Sequence, residues 1–452
     1  MVLATLDITF FFLDGANSMF GHISGLGVLI GKAFDYEIPV RHHCFSHRLE
    51  LIIEAVMEMF PIFGHFDQLL KDIYSFYHLS HKRQNSLNEH CDEIGESRFR
   101  LAQIFEVRWI SSQRLAIEKV MNHYYALVTH LIKVKNNARD FVQNTKAKIE
   151  QFVKKTERLI HFLTNKYAIL LMHFNHDVVV AFSEESKYTQ TKGSSLIGAG
   201  HRIGRFRRLM YRIQVKKGTV LNDFLSSCNC FATSKQANAF VKGTGNGRQC
   251  ESLAMYEDSP FIVWKKIILK DTDLKHQPKP KKSKGKKGEA GSNQNSNTTP
   301  APEPQTIFTK ISDMIYPYID EMAKQIKETL PKDEVIAFDA LDQTVWGKGI
   351  KPGVTTRRPK GPNVGPLAEL FNMDKDLLQQ QFKDLLKKIM ANKVWWCKNR
   401  ESEPNFFWST VLNDMEPPPE LSLLVRKALA IPLGSGMISA CIQGVPFTIS
   451  QS

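Results

Sequence analysis

The sequence is short of the features that would place a protein in an oxidising compartment or in a bilayer. Its 452 residues contain only seven cysteines, an odd number without regular spacing, which excludes a disulfide framework. No charged n-region followed by a small-residue cleavage site occurs, so secretion is not expected. Long apolar runs are missing as well. The most apolar opening stretch, ITFFFL at 8–13, is bracketed by Asp7 and Asp14 and reads as a buried strand, too short to span a membrane. His-Glu-x-x-His and Walker sequences are lacking, which removes the chemistries they carry. GTGNG at 243–247 lacks the preceding strand and following helix of a dinucleotide site, and Cys228, Cys230 and Cys250 are too sparse for a zinc ribbon; both read as loop composition.

Acid is also in deficit. Lys and Arg number 60 against 46 Asp and Glu, a net charge of +14, which points to an acidic polymer as partner, nucleic acid before membrane. Half of that excess lies in KHQPKPKKSKGKKG (275–288), with Lys275, Lys279, Lys281, Lys282, Lys284, Lys286 and Lys287. Such a tract is a solvated linker by composition. It can also serve as a nuclear import signal or a nonspecific phosphate binder, so a nuclear location is expected.

The pattern of apolar residues sets out the chain's organisation. A strand at 8–13 runs into an Asp-Gly turn, a short helix is expected over 24–34, and a second strand over 38–45, an α/β opening. Ser46 is placed to cap a helix carrying Leu49, Ile52, Ile53, Val56 and Phe60 on one stripe. From 62 to 182 the spacing is helical throughout and no alternating strand pattern occurs. Residues 183–262 are poorly periodic. The stretch 271–305, rich in Lys, Pro, Gly, Ser, Asn and Thr, cannot bury enough apolar surface to order itself. Helices resume over 306–400, and 401–452 ends in two helices with Phe407, Trp408, Val411 and Leu412 on one and Leu421, Leu424, Val425, Ala428 and Leu429 on the other.

Four stretches together resemble a hAT-type transposase: FLDGANSMFGHISG at the end of the first strand, HHCFSHRLEL, EVRWISSQRLAIEKV and LSLLVRKALAIPLGSG. LMHFNHDVVVAFSEESKYTQ (171–190) is similar to the helical insertion of domesticated relatives. The resemblance implies a partial RNase H-like α/β core beginning in 1–61. A mainly helical region over 62–270, including the Arg-Trp element and the insertion, would interrupt that core. The linker at 271–305, a helical region at 306–400 and a remnant of the dimerisation region at 401–452 would follow. The family cuts DNA with a carboxylate triad holding two Mg²⁺ ions, which must all converge because two close divalent ions repel strongly.

Asp14 matches the second carboxylate of that triad. The first belongs to an earlier strand than any in this sequence. Asp7 is no substitute, because residues seven apart on a strand face opposite ways and, at roughly 3.3 Å per residue, lie more than about 20 Å apart. Where the family carries its third acid in a Glu-Arg-x-Phe helix, this chain has Ser439, Ala440 and Cys441. Asp14 is therefore expected to cap its turn and to be a remnant catalytic position. No cofactor is expected, Mg²⁺ entering only if the chain is a fragment of an active transposase. In the family the Arg108–Trp109 element approaches phosphate and stacks on an extruded base; a core role for Trp109 is the alternative. Cys44 and His47, at a helix start, are weak metal candidates, with His42, His43, His90 and Cys91 nearby in type but not in any finger spacing.

The expectation is a noncatalytic, transposase-derived nuclear protein that associates with other proteins and contacts nucleic acid nonspecifically through Arg108, Trp109, Lys281, Lys282, Lys284, Lys286 and Lys287. Self-association, or pairing with hAT-like proteins, would use Trp408, Leu421, Leu424, Val425 and Leu429, although the helix that completes the family's interface is not matched. Two alternatives stand beside it. One is a fragment of an active DNA transposase; the other is a SUMO-ligase-like adaptor, which works by holding two partners close and needs no catalytic side chain.

Overall fold

A computed structural model describes residues 10–13, 40–43, 45–105, 109–142, 145–190, 196–197, 199–271, 312–330, 337–343, 346 and 362–430. In chain order its elements begin with β1 (Phe10–Leu13), β2 (Val40–His43), α1 (Phe45–Met59), α2 (Pro61–His78), α3 (His81–Ile94), α4 (Trp109–Asn122), α5 (Tyr124–Asn136), α6 (Ala138–Phe141), α7 (Lys146–Leu163), α8 (Lys166–Thr189) and α9 (Ala199–Lys216). They continue with α10 (Thr219–Ser227), β3 (Asn229–Phe231), α11 (Ser234–Val241), β4 (Arg248–Gln249), α12 (Leu253–Asp258), β5 (Phe261–Trp264) and β6 (Ile267–Lys270). The last are α13 (Ser312–Thr329), α14 (Gly365–Leu370), α15 (Lys375–Ala391), α16 (Lys393–Asn399), α17 (Pro404–Asp414) and α18 (Pro419–Ala430). The fold is largely helical. Two compact units divide it, the first made of Met1–Val56, Ala181–Tyr211 and Glu321–Ser452, the second of Met57–Val180 and Arg212–Asp320. Segments far apart in sequence thus share a unit, where the sequence suggests successive blocks. All of the expected linker but Asp271 lies outside the described residues, as does the helix expected at 24–34.

In the first unit β1 and β2 run parallel, with Phe10 opposite Val40 and Leu13 opposite His43. Both strands fall where the sequence predicts them. The α1 stripe also forms, with Leu49, Ile52, Ile53 and Val56 buried. Ser46 differs from its expected role: the helix already begins at Phe45. Its hydroxyl lies in the first turn, 2.6 Å from that of Thr189, where a side chain inside the helix can no longer act as N-cap. The C-terminal helices surround an aromatic cluster in which Trp346 meets Phe382 at 5.7 Å, Phe407 at 5.6 Å and Trp408 at 5.7 Å between ring centroids. The edge-to-face packing is the favourable arrangement for rings whose faces are negative and edges positive.

The second unit packs α2 on α5 and α7. Phe63, Phe66, Leu70, Ile73 and Tyr77 give α2 an apolar face at helical spacing, and α5 buries Tyr124, Leu127, Val128, Leu131 and Val134. After α10 the chain enters a four-stranded antiparallel sheet in the order β4-β3-β5-β6, with Phe240 and Val241 of α11 against Phe231 and Val263. This sheet lies at the end of the mainly helical region 62–270, most of it in the stretch whose sequence is poorly periodic. Its hairpin escapes the sequence pattern because β5, Phe-Ile-Val-Trp, is apolar throughout, and because the two-residue turn uses Lys265 and Lys266 at φ 45° and 60°, where Asn-Gly or Gly is the usual signal. Lys265 Nζ donates to the Met121 carbonyl at 2.7 Å, which helps hold the unfavourable turn residue in place. α11 carries a complete capping box from Thr233 and Gln236.

Candidate nucleic-acid interface

The most one-sided charge among the described elements lies on α9. Its sequence, AGHRIGRFRRLMYRIQVK, contains no carboxylate. Phe206, Met210 and Ile213 recur at i, i+4 and i+7 and are buried, so the rest of the helix must face outward. In the part belonging to the first unit, the outward residues are Arg205, Arg207, Arg208 and Tyr211, Tyr211 being 63% exposed.

Neighbouring segments of the same unit fix the start of the helix. Asp339 accepts from the Gly200 amide, and a Cβ at position 200 would overlap the Asp339 carboxylate, so the close approach requires glycine. Burial, reinforced by the negative charge of Asp342, raises the Asp339 carboxyl to about 6. One turn on, Arg202 is held from both sides: its Nη2 lies 3.3 Å from Glu185, and its guanidinium lies 3.2 Å over the Tyr188 ring. The Tyr188 hydroxyl donates to Glu403 at 2.8 Å. Glu185 is buried, and burial raises its carboxyl despite Arg202 and Arg205. Arg205 keeps a longer contact of 3.9 Å to the same acid.

Arg202 is therefore structural and Arg205 partly so, while Arg207 and Arg208 point outward. A guanidinium pair beside an exposed phenol ring can do two things together. It can neutralise successive phosphates, and it can offer a π-face to an unstacked base. Sequence reasoning missed this face because arginines crowd the apolar positions of 183–262; the signal was Phe206, Met210 and Ile213 combined with the missing acids.

Asp14 follows the last residue of β1 and, with Cys44, Arg108, Lys281, Lys282, Lys284, Lys286 and Lys287, lies outside the described residues. Trp109 opens α4. His47 is half-buried in the first turn of α1. Among the described residues no three His, Cys, Asp or Glu side chains are arranged to hold a metal ion. Trp408, Leu421, Leu424 and Val425 are fully buried and Leu429 is half-buried, and Trp408 Nε1 donates to the Leu341 carbonyl at 2.7 Å. The apolar faces expected to meet a second chain are covered by their own unit. No helix among the described residues is long and apolar enough to cross a membrane.

No protein-family model matches the chain, and no solved structure matches it.

Proposed function

We propose that this protein is a noncatalytic, hAT-transposase-derived nuclear factor that contacts nucleic acid nonspecifically and serves as a surface for protein association. The observation that carries the nucleic-acid part is the carboxylate-free α9, with Arg207 and Arg208 outward beside the exposed Tyr211. The net charge of +14 and the lysine tract at 275–288 support the same partner. The transposase origin is supported by the four sequence stretches, and the absence of cutting by Ser439, Ala440 and Cys441 in place of the family's glutamate helix. Self-association through Leu421, Leu424 and Val425 drops out of the reading, since those side chains are already buried.

Phosphate contacts displace counterions, so each one steepens the salt dependence of binding by roughly 0.7–0.9 on a log–log plot. Fluorescence anisotropy with the full chain and a labelled single-stranded oligonucleotide tests the site. Replacing Arg207 and Arg208 by Gln should lower the salt slope by about 1.4 on single strands and weaken binding about tenfold or more at low salt. Replacing Lys281, Lys282, Lys284, Lys286 and Lys287 by Gln separates the tract from the helix. Unchanged affinity and slope in the arginine variant, with binding abolished in the lysine variant, would remove α9 from the proposal.

A further inference from the structure

Three thiols gather on one face of the small sheet. In the β3/β4 ladder Asn229 pairs with Gln249 and Cys230 with Arg248, and the Cys250 amide donates to the Cys228 carbonyl at 2.9 Å. That register sets Cys250 opposite Cys228 and diagonal to Cys230. Residues two apart on a strand share a face, so all three side chains lie on the same side. Cys228 is fully buried, Cys250 is 2% exposed and Cys230 8%.

Cys230 and Cys250 lie within side-chain hydrogen-bonding reach of each other, and the Ser259 hydroxyl also reaches Cys230. Cys250 Sγ is 3.2 Å from the Ser252 carbonyl, and Cys230 Sγ is 3.9 Å from that of Met255. Two cations face the pair: Arg248, and Lys166, whose Nζ donates to the Glu257 and Ser259 carbonyls at 2.7 Å and 3.0 Å. The hydrogen bond from Cys250, the Ser259 hydroxyl and the two cations hold the Cys230 thiol below its ordinary range. The same bond, together with burial, holds Cys250 above it. One sulfur is thus prepared to attack and the other to remain protonated beside it. The trio does not have the arrangement of a metal site.

We propose that Cys230 and Cys250 form a peroxide-reactive dithiol whose oxidised product is a disulfide across the β3/β4 edge. The Cys230 thiolate attacks one oxygen of hydrogen peroxide: an S–O bond forms, the O–O bond breaks, and hydroxide leaves and takes up a proton as water. Cys250 sulfur then attacks the Cys230 sulfenic acid. An S–S bond forms, the S–O bond breaks, and the departing hydroxide leaves with the Cys250 proton as a second water. Two thiols and one peroxide become one disulfide and two waters. β4 is only two residues long and exposed, so the edge can shift the short distance from a diagonal contact to disulfide geometry.

The test uses the full chain, treated with stoichiometric hydrogen peroxide, alkylated, digested and mapped by mass spectrometry. The expected result is a Cys230–Cys250 crosslinked peptide that dithiothreitol removes and that persists in Cys228→Ser. In Cys250→Ser the same treatment should leave a dimedone-trapped sulfenic acid on Cys230. The proposal fails if the wild-type chain shows no such crosslink under conditions that oxidise the exposed Cys397, or if Cys250 is joined to Cys228 instead. Because the decisive mapping is on the wild-type protein, a variant that misfolds does not blur the outcome.

Discussion

The two units bury polar groups in different ways. In the first unit the aromatic cluster makes few polar demands, and each indole meets its need with one backbone carbonyl: Trp346 Nε1 donates to Ala340 at 3.0 Å and Trp408 Nε1 to Leu341 at 2.7 Å. The second unit buries groups that titrate. His130 sits between the Tyr77 hydroxyl at 3.0 Å and the Ser86 hydroxyl at 3.1 Å. His173 is stacked on Phe224 at 3.9 Å, with Nδ1 2.8 Å from the Ile169 carbonyl. Lys166 holds two carbonyls. The two cores should therefore respond differently to changes of shape and changes of pH. Proton binding acts on both, with opposite sign.

The largest expected effect strikes at the aromatic cluster. Trp408→Ala should destabilise the first unit by about 3–5 kcal/mol, the range for emptying a large buried aromatic site. Trp408→Phe, which keeps most of the ring but leaves the Leu341 carbonyl without its indole donor, should cost about 1–3 kcal/mol. Urea denaturation followed by hydrogen exchange of peptides from each unit would locate the loss. A loss smaller than about 1 kcal/mol for the alanine variant would mean that the cluster does not hold the unit together.

Acid should separate the units by sign. Burial lowers His130 and His173 to about 3, so both are neutral in the fold and gain a proton on unfolding below about 6.5. Their stability is complete above that value and declines as pH falls toward 3. From pH 7 to 5 each should cost the second unit about 2 kcal/mol. Asp177 opposes this within the same unit, since burial raises it to about 6 and a raised acid favours the fold as pH falls through that value. In the first unit the resolved shifts of buried acids, Asp339 and Glu185, are both upward, so that unit should gain. Hydrogen exchange at pH 7 and pH 5, corrected for intrinsic rates, reads the two units separately; a fall of equal size in both would erase the contrast.

A smaller effect sharpens a similarity between them. Asp177 accepts from the Val220 and Leu221 amides at 3.0 Å and 2.9 Å, much as Asp339 accepts from Gly200, and each acid lies where a Cβ on the nearby glycine would overlap it. Gly218→Ala should push Asp177 off its amides and cost about 1–3 kcal/mol. Gly200→Ala, where one amide bond is at stake, should cost less by thermal melting. Smallest of all, Arg208→Gln should leave stability within about 0.5 kcal/mol while weakening oligonucleotide binding. A larger stability loss would identify Arg208 as a packing residue.

The elements that the sequence foretold are those in which one periodicity dominates. The α1 stripe and the long helices between 62 and 182 are cases where burial and propensity agree. The β5–β6 hairpin is illegible because an unbroken apolar strand has no alternation and its lysine turn carries no glycine. The faces of α17 and α18 teach a subtler lesson. Phe407, Trp408, Leu421 and Leu424 announce that something covers them, and an apolar stripe cannot say whether the cover is a second chain or residues such as Leu341, Trp346 and Phe382 of the same one. On α9 the opposite holds, because charge hides the apolar register unless Phe206, Met210 and Ile213 are read together.

The interleaved division of the chain also sets a timetable for synthesis. All residues of the second unit have been made once the ribosome reaches 320, whereas the first still lacks everything from 321 onward. The described parts of α1, α8 and α9 that belong to the first unit must then wait with some of their apolar faces unsatisfied, so chaperone dependence should peak during translation of the last third of the message.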